Sequence, residues 1–290
     1  MTDGPTLTRV TLWMTGAIIS FSAMAVAGRI LSSELDTFEI MLWRSLTGLA
    51  IVCTVLSATG GWGRLRGRLR LHAVRNLAHF TGQNLWFFAI TAAPLAQVVA
   101  VEFTAPIWAL LLAPLVLSEA LTRTRAVVAV IGFLGVLIVA RPGLEMAYGV
   151  PFAALAAFFF AVTGLLTRLL TRDQALWTIL FWLTAFQAVF GLICAGFDGD
   201  IAVPRGTMAA WAVGVGVAGL LAHLSLTRAL ALAPAAVVMP IDFARLPVIA
   251  VLGAILFGEA LEWPVVLGAV LILAANWLGL RAERRRIVAT

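Results

Sequence analysis

Charged residues are scarce in this sequence of 290 amino acids, and their scarcity excludes a water-soluble domain. Asp, Glu, Lys and Arg together make up 12% of the chain, whereas 62% is hydrophobic and the mean hydropathy is +1.03. Soluble domains contain about 25% charged and 45–50% apolar residues. The composition therefore predicts a protein that lies in a lipid bilayer.

Motifs that would indicate an enzyme are also absent. The sequence has no HExxH, no GxSxG, no P-loop and no paired Asp-rich motif, so it predicts no covalent chemistry, no metal ion and no cofactor. Cys53 and Cys194 lie in separate apolar segments without a neighbouring Cys or His, and we expect both to be buried free thiols. Gly214, Gly216 and Gly219 spell GxGxxG inside an apolar segment, where close helix packing explains them better than dinucleotide binding.

Long apolar runs are what the sequence has instead. About 20 helical residues cross the ~30 Å hydrocarbon layer of a membrane. We predict an all-α membrane protein with ten transmembrane helices, at residues 9–31, 37–58, 71–92, 95–117, 124–141, 149–171, 175–195, 207–232, 235–257 and 263–281. The Ala-Pro pairs at 93 and 233 each separate two of these spans, because proline is tolerated at the first turn of a new helix.

One stretch of the sequence occurs twice. APLAQVVAVEF at 93–103 reappears as APAAVVMPIDF at 233–243, and SEAL at 118–121 returns as GEAL at 258–261. Acidic residues and a proline that stay in register indicate a duplication rather than shared composition. Because each half has five spans, an odd number, the two halves enter the membrane from opposite faces. We predict inverted five-helix repeats at residues 1–145 and 146–290.

All 20 basic residues are arginine, and their distribution predicts the orientation of the chain. With both termini in the cytoplasm, most arginines lie in cytoplasmic loops, which carry an excess of basic residues in membrane proteins. Arg29, Arg141 and Arg205 lie on the outer side in this topology. The run GRLRGRLRLHAVR at 63–75 is interpreted as an anchor at the inner membrane surface, not as a nucleic-acid site.

Polar residues inside apolar spans are the candidates for function, since a charge at the bilayer centre costs about 2.5–3.5 kcal/mol on insertion scales. They are Arg44, His79, Gln83, Glu102, Gln187, His223, Arg228, Asp242 and Arg245. His79, Gln83 and Trp86 follow each other at helical spacing, and we expect this stripe to face a cavity.

Three arginines are predicted as counter-charges for two acids. Arg44 and Glu102 are at similar depth below the outer face and could pair. Asp242 and Arg245 are three residues apart on one helix face, and Arg228 is at a similar inner depth. Because Glu102 and Asp242 are repeat equivalents, inversion predicts that they lie toward opposite membrane faces. Such pairs either hold helices together or break and reform during transport.

The ten spans, Pro106 and Pro247 in the fourth and ninth of them, and the SEAL and GEAL ends resemble the EamA-type members of the drug/metabolite transporter superfamily. Among these the chain is most similar to amino-acid and aromatic-metabolite exporters. The resemblance implies a monomeric secondary transporter in the bacterial inner membrane, with a small-molecule substrate. Pro106 and Pro247 would allow their helices to bend as the protein alternates.

The same resemblance implies site residues. Its central cavity would be lined by Ser20, Met24, His79, Gln83, Glu102, Phe103, Phe159, Thr163, His223, Asp242 and Phe243. Glu119 and Glu259, at the ends of the fourth and ninth helices, would have a structural or gating role. Arg44 and Arg245 depart from the family pattern, so their role as counter-charges rests on the residues alone.

We therefore expect export of small amphipathic metabolites by alternating access, with aromatic amino acids as the favoured substrates. Glu102 and Asp242 could carry protons, or transport could be facilitated diffusion. A multidrug pump for lipophilic cations is the alternative with the same fold. A membrane enzyme or receptor is disfavoured, because it would need catalytic clusters or a large soluble loop.

Overall fold

The computed structural model describes residues 4–65, 67–117, 123–140, 146–232, 241–242 and 244–289, and in these residues the chain is helical without a strand. We number the helices in chain order: α1 Gly4–Leu31, α2 Thr37–Thr59, α3 Leu69–Ala92, α4 Leu95–Glu102, α5 Ala105–Leu117, α6 Arg123–Ala140, α7 Val150–Leu170, α8 Leu176–Ala195, α9 Thr207–Leu232, α10 Arg245–Phe257 and α11 Trp263–Ala289. A 3₁₀ turn, Gly61–Arg64, follows α2.

Five of these helices are long and apolar enough to cross a membrane. The crossing segments are Thr8–Leu31, Thr37–Thr59, Val150–Leu170, Leu176–Ala195 and Thr207–Ala229. Shorter apolar segments lie in α4–α5, α6, α10 and α11. The all-helical prediction is thus confirmed for the part of the chain that the structure describes, whereas the count of ten spans stays a prediction.

The predicted span at 95–117 is interrupted in the structure. Its predicted start after the Ala-Pro pair is confirmed, since α3 ends at Ala92 and α4 begins at Leu95. The prediction of one continuous helix is wrong, because α4 ends at Glu102 and α5 begins only at Ala105. The Thr104 N–H donates to the Val101 carbonyl at 3.0 Å. Proline at 106 has no N–H to donate to the Glu102 carbonyl, which explains the interruption.

The second repeat copy has a similar break. The Ala244 N–H donates to the Ile241 carbonyl at 3.1 Å, and α10 begins at Arg245. Val101 and Ile241 are equivalent positions of the duplicated stretch, and so are Thr104 and Ala244. Pro247, which is exposed on α10, cannot donate to the carbonyl of residue 243. Residues 233–240 of this predicted span lie outside the described part of the chain.

The largest helix interfaces all join the first half of the chain to the second. The helix α1 packs against α9, α2 against α8, α3 against α7, and α6 against α11. The two halves therefore share one core, and they do not form separate packed units. Matching the first five spans to the last five in order relates α1 to α7, α2 to α8, α3 to α9 and α6 to α11. When each helix is exchanged for its match, the α1–α9 interface becomes the α7–α3 interface, and the other two pairs are unchanged. The same four interfaces result, as expected of two related repeats.

Candidate functional site

Three charged side chains from both halves of the chain meet where the helices are interrupted. Arg245 Nη2 lies 2.8 Å from Glu102 Oε1 and 3.2 Å from Asp242 Oδ2. The side chains are nearly buried, with exposed fractions of 6% for Arg245, 14% for Glu102 and 11% for Asp242. We call these three residues the Arg245 triad. Two carboxylates and one guanidinium give it a formal charge of −1 when all three are ionised.

Aromatic side chains surround the Arg245 triad. Phe21 and Phe103 lie on the guanidinium, with ring centroids 5.0 and 5.1 Å from Arg245 Cζ. This distance is within the range of a cation–π interaction. The Trp86 indole N–H donates to Glu102 Oε2 at 2.8 Å, and Trp86 is 2% exposed. The triad is therefore enclosed by ring faces, with one carboxylate held by an indole.

The interrupted helices explain how the triad forms. Glu102 is the last residue of α4, Arg245 is the first of α10, and Asp242 immediately precedes the break in the second copy. The two helix breaks thus lie next to each other, and the three side chains extend from them. Asp242 Oδ1 is buried and has no hydrogen-bond partner among the described residues. One carboxylate oxygen of the Arg245 triad is therefore free, within the described part of the chain, to accept a hydrogen bond from a ligand.

Two sequence-based expectations about these charges are wrong. Arg44 does not pair with Glu102, because Glu102 contacts Arg245 and the Arg44 guanidinium donates to Gln187 Oε1 at 3.1 Å. Glu102 and Asp242 do not lie toward opposite faces, since both contact one guanidinium. The depth argument assumed continuous helices, and both helices are interrupted at these acids.

The third predicted counter-charge, Arg228, is exposed on α9. No ion pair of Arg228 with another described residue is observed. Arg228 is therefore not a counter-charge of the triad in this structure, and its depth in the membrane stays a prediction.

The predicted polar stripe on α3 faces the interior of the protein. His79 and Gln83 are each 3% exposed. The His79 ring lies 5.2 Å from the His223 ring of α9 and 6.1 Å from Phe160 of α7, measured between centroids. Both nitrogens of His79 and Nε2 of Gln83 lack a partner among the described residues. The stripe thus contributes unpaired polar atoms to the contact between the two halves.

Other residues expected in the cavity are dispersed over the interior. Met24 is 3% and Thr163 is 7% exposed, whereas Ser20 and Phe159 are half-buried. A Cβ atom added to Gly82 would lie 2.9 Å from Phe159 Cβ, so α3 and α7 approach closely at this point. Phe243, Glu119 and the side chain of Pro106 lie outside the part of the chain that the structure describes.

Glu259 connects the end of α10 to the start of α4. Its Oε2 accepts from the Leu95 N–H at 2.8 Å, and its Oε1 lies 3.2 Å from Arg29 Nη1. The same Arg29 nitrogen donates to the Ile90 and Ala93 carbonyls, the latter at 2.9 Å. A carboxylate at the first N–H groups of a helix is favourable, because that end carries a partial positive charge. Glu259 and Arg29 therefore join both halves at one rim of the bundle.

Sequence reasoning missed Arg75, which it assigned to the basic run at the membrane surface. Arg75 is 4% exposed, and its Nε donates to Thr167 Oγ1 at 3.0 Å and its Nη1 to Asn76 Oδ1 at 2.6 Å. The missed signal is its spacing. Arg75 is four residues before His79, so both lie on the same face of α3.

Metal binding finds no support in the described part of the chain. No group of three His, Cys, Asp or Glu side chains there is placed to hold a metal ion. Cys53 and Cys194 are free and half-buried, so both are less enclosed than their apolar sequence context predicts.

Comparisons with known proteins match the chain over nearly its whole length. The model of the EamA-like transporter family matches twice, at residues 8–141 and 147–280. A riboflavin transporter of Rhizobium johnstonii is 30% identical over 284 residues, which cover 95% of this chain and 92% of that protein. An S-adenosylmethionine uptake transporter of Rickettsia felis is 25% identical over 274 residues, covering 94% and 92%. A riboflavin transporter of Vibrio cholerae is 27% identical over 291 residues, covering 96% of each.

A crystal structure with 20% sequence identity superposes with a TM-score of 0.65 and covers 96% of this chain and 98% of that one, which shows a shared fold. The relatives support a multi-pass membrane transporter of a small metabolite, and their names do not support amino-acid export specifically. Transporters are not enzymes, in agreement with the missing catalytic motifs. The double match of the family model shows that this chain belongs to the EamA-like transporter family.

Proposed function

We propose that this chain is a secondary transporter for a small metabolite that consists of a planar ring and a polar or cationic chain. The observation that supports this proposal is the Arg245 triad, a charged cluster between the rings of Phe21 and Phe103. Ring faces favour a planar substrate group, and charged side chains favour a polar one. A surface of this composition fits an amphipathic ligand better than a sugar or an inorganic ion.

The named relatives support the same substrate class. Riboflavin has a tricyclic ring and a polyol chain, and S-adenosylmethionine has a purine and a zwitterionic chain with a sulfonium cation. Aromatic amino acids also combine a ring with a zwitterion, so tryptophan remains in the class. Because the triad has a formal charge of −1, we expect a cationic or zwitterionic chain to be preferred to an anionic one.

The proposed mechanism is alternating access, in which contacts between the two halves break and reform. The breaks at Phe103–Thr104 and at Ala244 give α5 and α10 points about which they can move relative to their preceding segments. The Arg29–Glu259 pair joins the halves at one rim and would separate when that rim opens. No P-loop supplies ATP hydrolysis, so the direction of net transport follows the gradients of substrate and of any coupled proton.

The proposal includes the membrane arrangement. Ten spans would form inverted repeats at residues 1–145 and 146–290, with both termini in the cytoplasm of a bacterial cell, in its inner membrane, as a monomer. The arginine distribution and the two family matches at 8–141 and 147–280 support this arrangement. Alkaline phosphatase fused at either terminus should be inactive, and an active fusion would contradict it.

Counterflow in proteoliposomes tests the function. Vesicles loaded with unlabelled riboflavin, S-adenosylmethionine or tryptophan receive the same compound in labelled form outside, so transport in either direction registers. We expect accumulation for at least one ring-bearing compound and strong reduction in Glu102→Gln, whereas Glu34→Gln at an exposed position is the matched control. Equal rates in empty liposomes for all three compounds would refute the proposal. Repeating the assay with an imposed pH gradient separates proton coupling from facilitated diffusion.

Efflux of lipophilic cations is the second candidate, and it is favoured because the net negative triad includes an oxygen, Asp242 Oδ1, that has no donor among the described residues. A cation with aromatic rings would find a carboxylate and ring faces in one place. Cells that express the chain should then tolerate more ethidium than cells that express Asp242→Asn. Equal tolerance would remove this candidate.

A further inference from the structure

Arg44 is a buried cation that contacts no carboxylate of the described residues. It is 5% exposed, and its contacts among the described residues are neutral: Nη1 donates to Gln187 Oε1 at 3.1 Å and lies 3.8 Å from Met41 Sδ. Arg75 is likewise buried, and its hydrogen-bond partners among the described residues are an amide and a hydroxyl. An isolated charge in a protein interior is costly unless an opposite charge compensates it.

A small cavity lies beside Arg44. Its walls come from α2, α8 and α9, and it has room for about one water molecule. Four buried polar atoms without hydrogen-bond partners belong to side chains that line it: Arg44 Nε, Ser45 Oγ, Gln187 Nε2 and His223 Nε2. Arg44 Nε and Gln187 Nε2 can only donate, and the other two can donate as well. The cavity therefore presents donors and one fixed positive charge.

Two glycines of α9 lie close to α2, one at the Arg44 guanidinium and one at the Arg44 backbone. A Cβ atom added to Gly219 would lie 2.6 Å from Arg44 Nε, and one added to Gly216 would lie 2.9 Å from the Arg44 carbonyl oxygen. Gly214, the first glycine of the GxGxxG run, has nothing within 4 Å of its added Cβ. Helix packing therefore explains two of the three glycines, and one of those two accommodates the side chain that lines the cavity.

From these observations we infer that the cavity beside Arg44 binds one small anionic group, either a free chloride ion or the carboxylate of a metabolite. A single water molecule could satisfy the donors but not the charge. An anion does both, because charge-assisted hydrogen bonds to guanidinium and amide groups are stronger than neutral ones. The cavity has room for about one water molecule, which limits the bound part of the ligand to a halide ion or one oxygen of a carboxylate and excludes the head group of a phosphate monoester.

Ring contacts connect this anion site to the Arg245 triad. His223 lines the cavity, and its ring lies 5.7 Å from Phe21, which in turn lies on Arg245. A net positive site and a net negative site thus lie on either side of a row of rings. If the proposed transport function holds, a ring-bearing carboxylate fits this arrangement, with its carboxylate at Arg44 and its aromatic group on the rings of His223 and Phe21.

Thermal unfolding of the purified full-length protein in detergent tests the anion site without transport. At constant ionic strength, chloride or formate replaces methanesulfonate, whose tetrahedral head group, like that of a phosphate monoester, is too large for the cavity. We expect a saturable rise in melting temperature, of roughly 5 °C at a hundred times Kd. A response to chloride identifies a free ion as a sufficient ligand. A response to formate and to tryptophan, but not to chloride or tryptamine, identifies a metabolite carboxylate. Equal melting temperatures with every anion overturn the proposal.

Two substitutions sharpen the test. Arg44→Gln should abolish the response, whereas Arg172→Gln at an exposed position should retain it. Gln187→Glu would supply a carboxylate at the oxygen that already accepts from Arg44. We expect this variant to melt in methanesulfonate near the temperature that the wild type reaches with saturating anion, and to respond no further. A Gln187→Glu variant with the full wild-type response would overturn the anion site.

These readouts separate the two proposals. An unresponsive wild type that still catalyses counterflow refutes the anion site alone. A wild type that responds to anions but transports no ring-bearing compound refutes the proposed function alone.

Discussion

Arg245 and Arg44 are each 5% exposed, and both lie at contacts between the two halves of the chain. Arg245 contacts two carboxylates and two aromatic rings, whereas Arg44 contacts an amide, a thioether and two glycines. Two carboxylates more than neutralise the charge of Arg245, whereas no carboxylate of the described residues neutralises that of Arg44. The difference teaches that this bundle accommodates a buried arginine in two ways. Arg245 has protein carboxylates as counter-charges where the helices are interrupted. Arg44 lies at a cavity lined by hydrogen-bond donors, where we propose that a ligand supplies the counter-charge.

Replacing each arginine by methionine tests that contrast most strongly. Arg245→Met leaves Glu102 and Asp242 buried without a cation, and we expect a loss of about 3–5 kcal/mol in the free energy of unfolding. Arg44→Met removes an uncompensated charge, so we expect no loss, or a small gain, in methanesulfonate buffer. Melting temperature in detergent and yield of folded protein measure both. Equal destabilisation by the two substitutions would break the comparison.

Glu102→Gln should have the next largest effect. The neutral amide loses the ion pair with Arg245 but can still accept from Trp86, and Asp242 remains as a counter-charge. We expect a loss of about 2 kcal/mol, within the range for hydrogen bonds to charged groups. Melting temperature measures this loss against Glu34→Gln, which should change little. A loss as large as that of Arg245→Met would mean that Asp242 does not compensate the cation.

Gly219→Ala sharpens the description of the Arg44 site. The added methyl group would lie 2.6 Å from Arg44 Nε, so the side chain or α9 must shift. We expect a cost of about 1–2 kcal/mol, at the lower end of overpacking effects. Gly214→Ala is the matched control on the same helix and should be neutral or slightly stabilising, because its Cβ meets open space and alanine favours helix. Equal melting temperatures for the two variants would contradict the role of Gly219.

The smallest effects are expected at two ion pairs nearer the surface. Glu259→Gln weakens the contact with Arg29 but leaves an acceptor for the Leu95 N–H, and we expect a loss of about 1 kcal/mol. Asp173→Asn removes an exposed ion pair, in which the Arg68 side chain is 46% and the Asp173 side chain 45% exposed. We expect this substitution to cost less than about 0.5 kcal/mol. Melting temperatures in low and high salt should differ more for the Asp173 pair. A larger loss of stability in Asp173→Asn than in Glu259→Gln would contradict a stabilising role of the Arg29–Glu259 pair.

Parts of the fold were predictable because they depend on local sequence. The hairpin between α3 and α4 was predictable from Ala93–Pro94, since proline restricts the backbone wherever it occurs. At Pro106 the sequence predicts only a bend, whereas the structure has a complete break at Phe103–Thr104. The same proline explains both. Burial of His79 and Gln83 followed from helical spacing, because polar atoms against lipid are costly.

Charge partners were not predictable in the same way. Arg44 and Glu102 are at similar depth along their predicted spans, yet Glu102 pairs with Arg245. Position along a helix follows from counting residues, whereas the direction of a side chain depends on how the helix is rotated and on what packs against it. Arg75 was misassigned for the opposite reason, because a basic run in the sequence concealed one member that turns inward.

The sequence by itself determined that this chain is helical, lies in a membrane and contains two related halves, because composition, run length and repetition are properties of the chain alone. Only the tertiary structure decided that Glu102 and Asp242 share one guanidinium and that Arg44 contacts Gln187 and none of the acids in the described part of the chain. Those choices depend on interfaces between residues more than 140 positions apart, where helix breaks and glycines set which side chains approach each other.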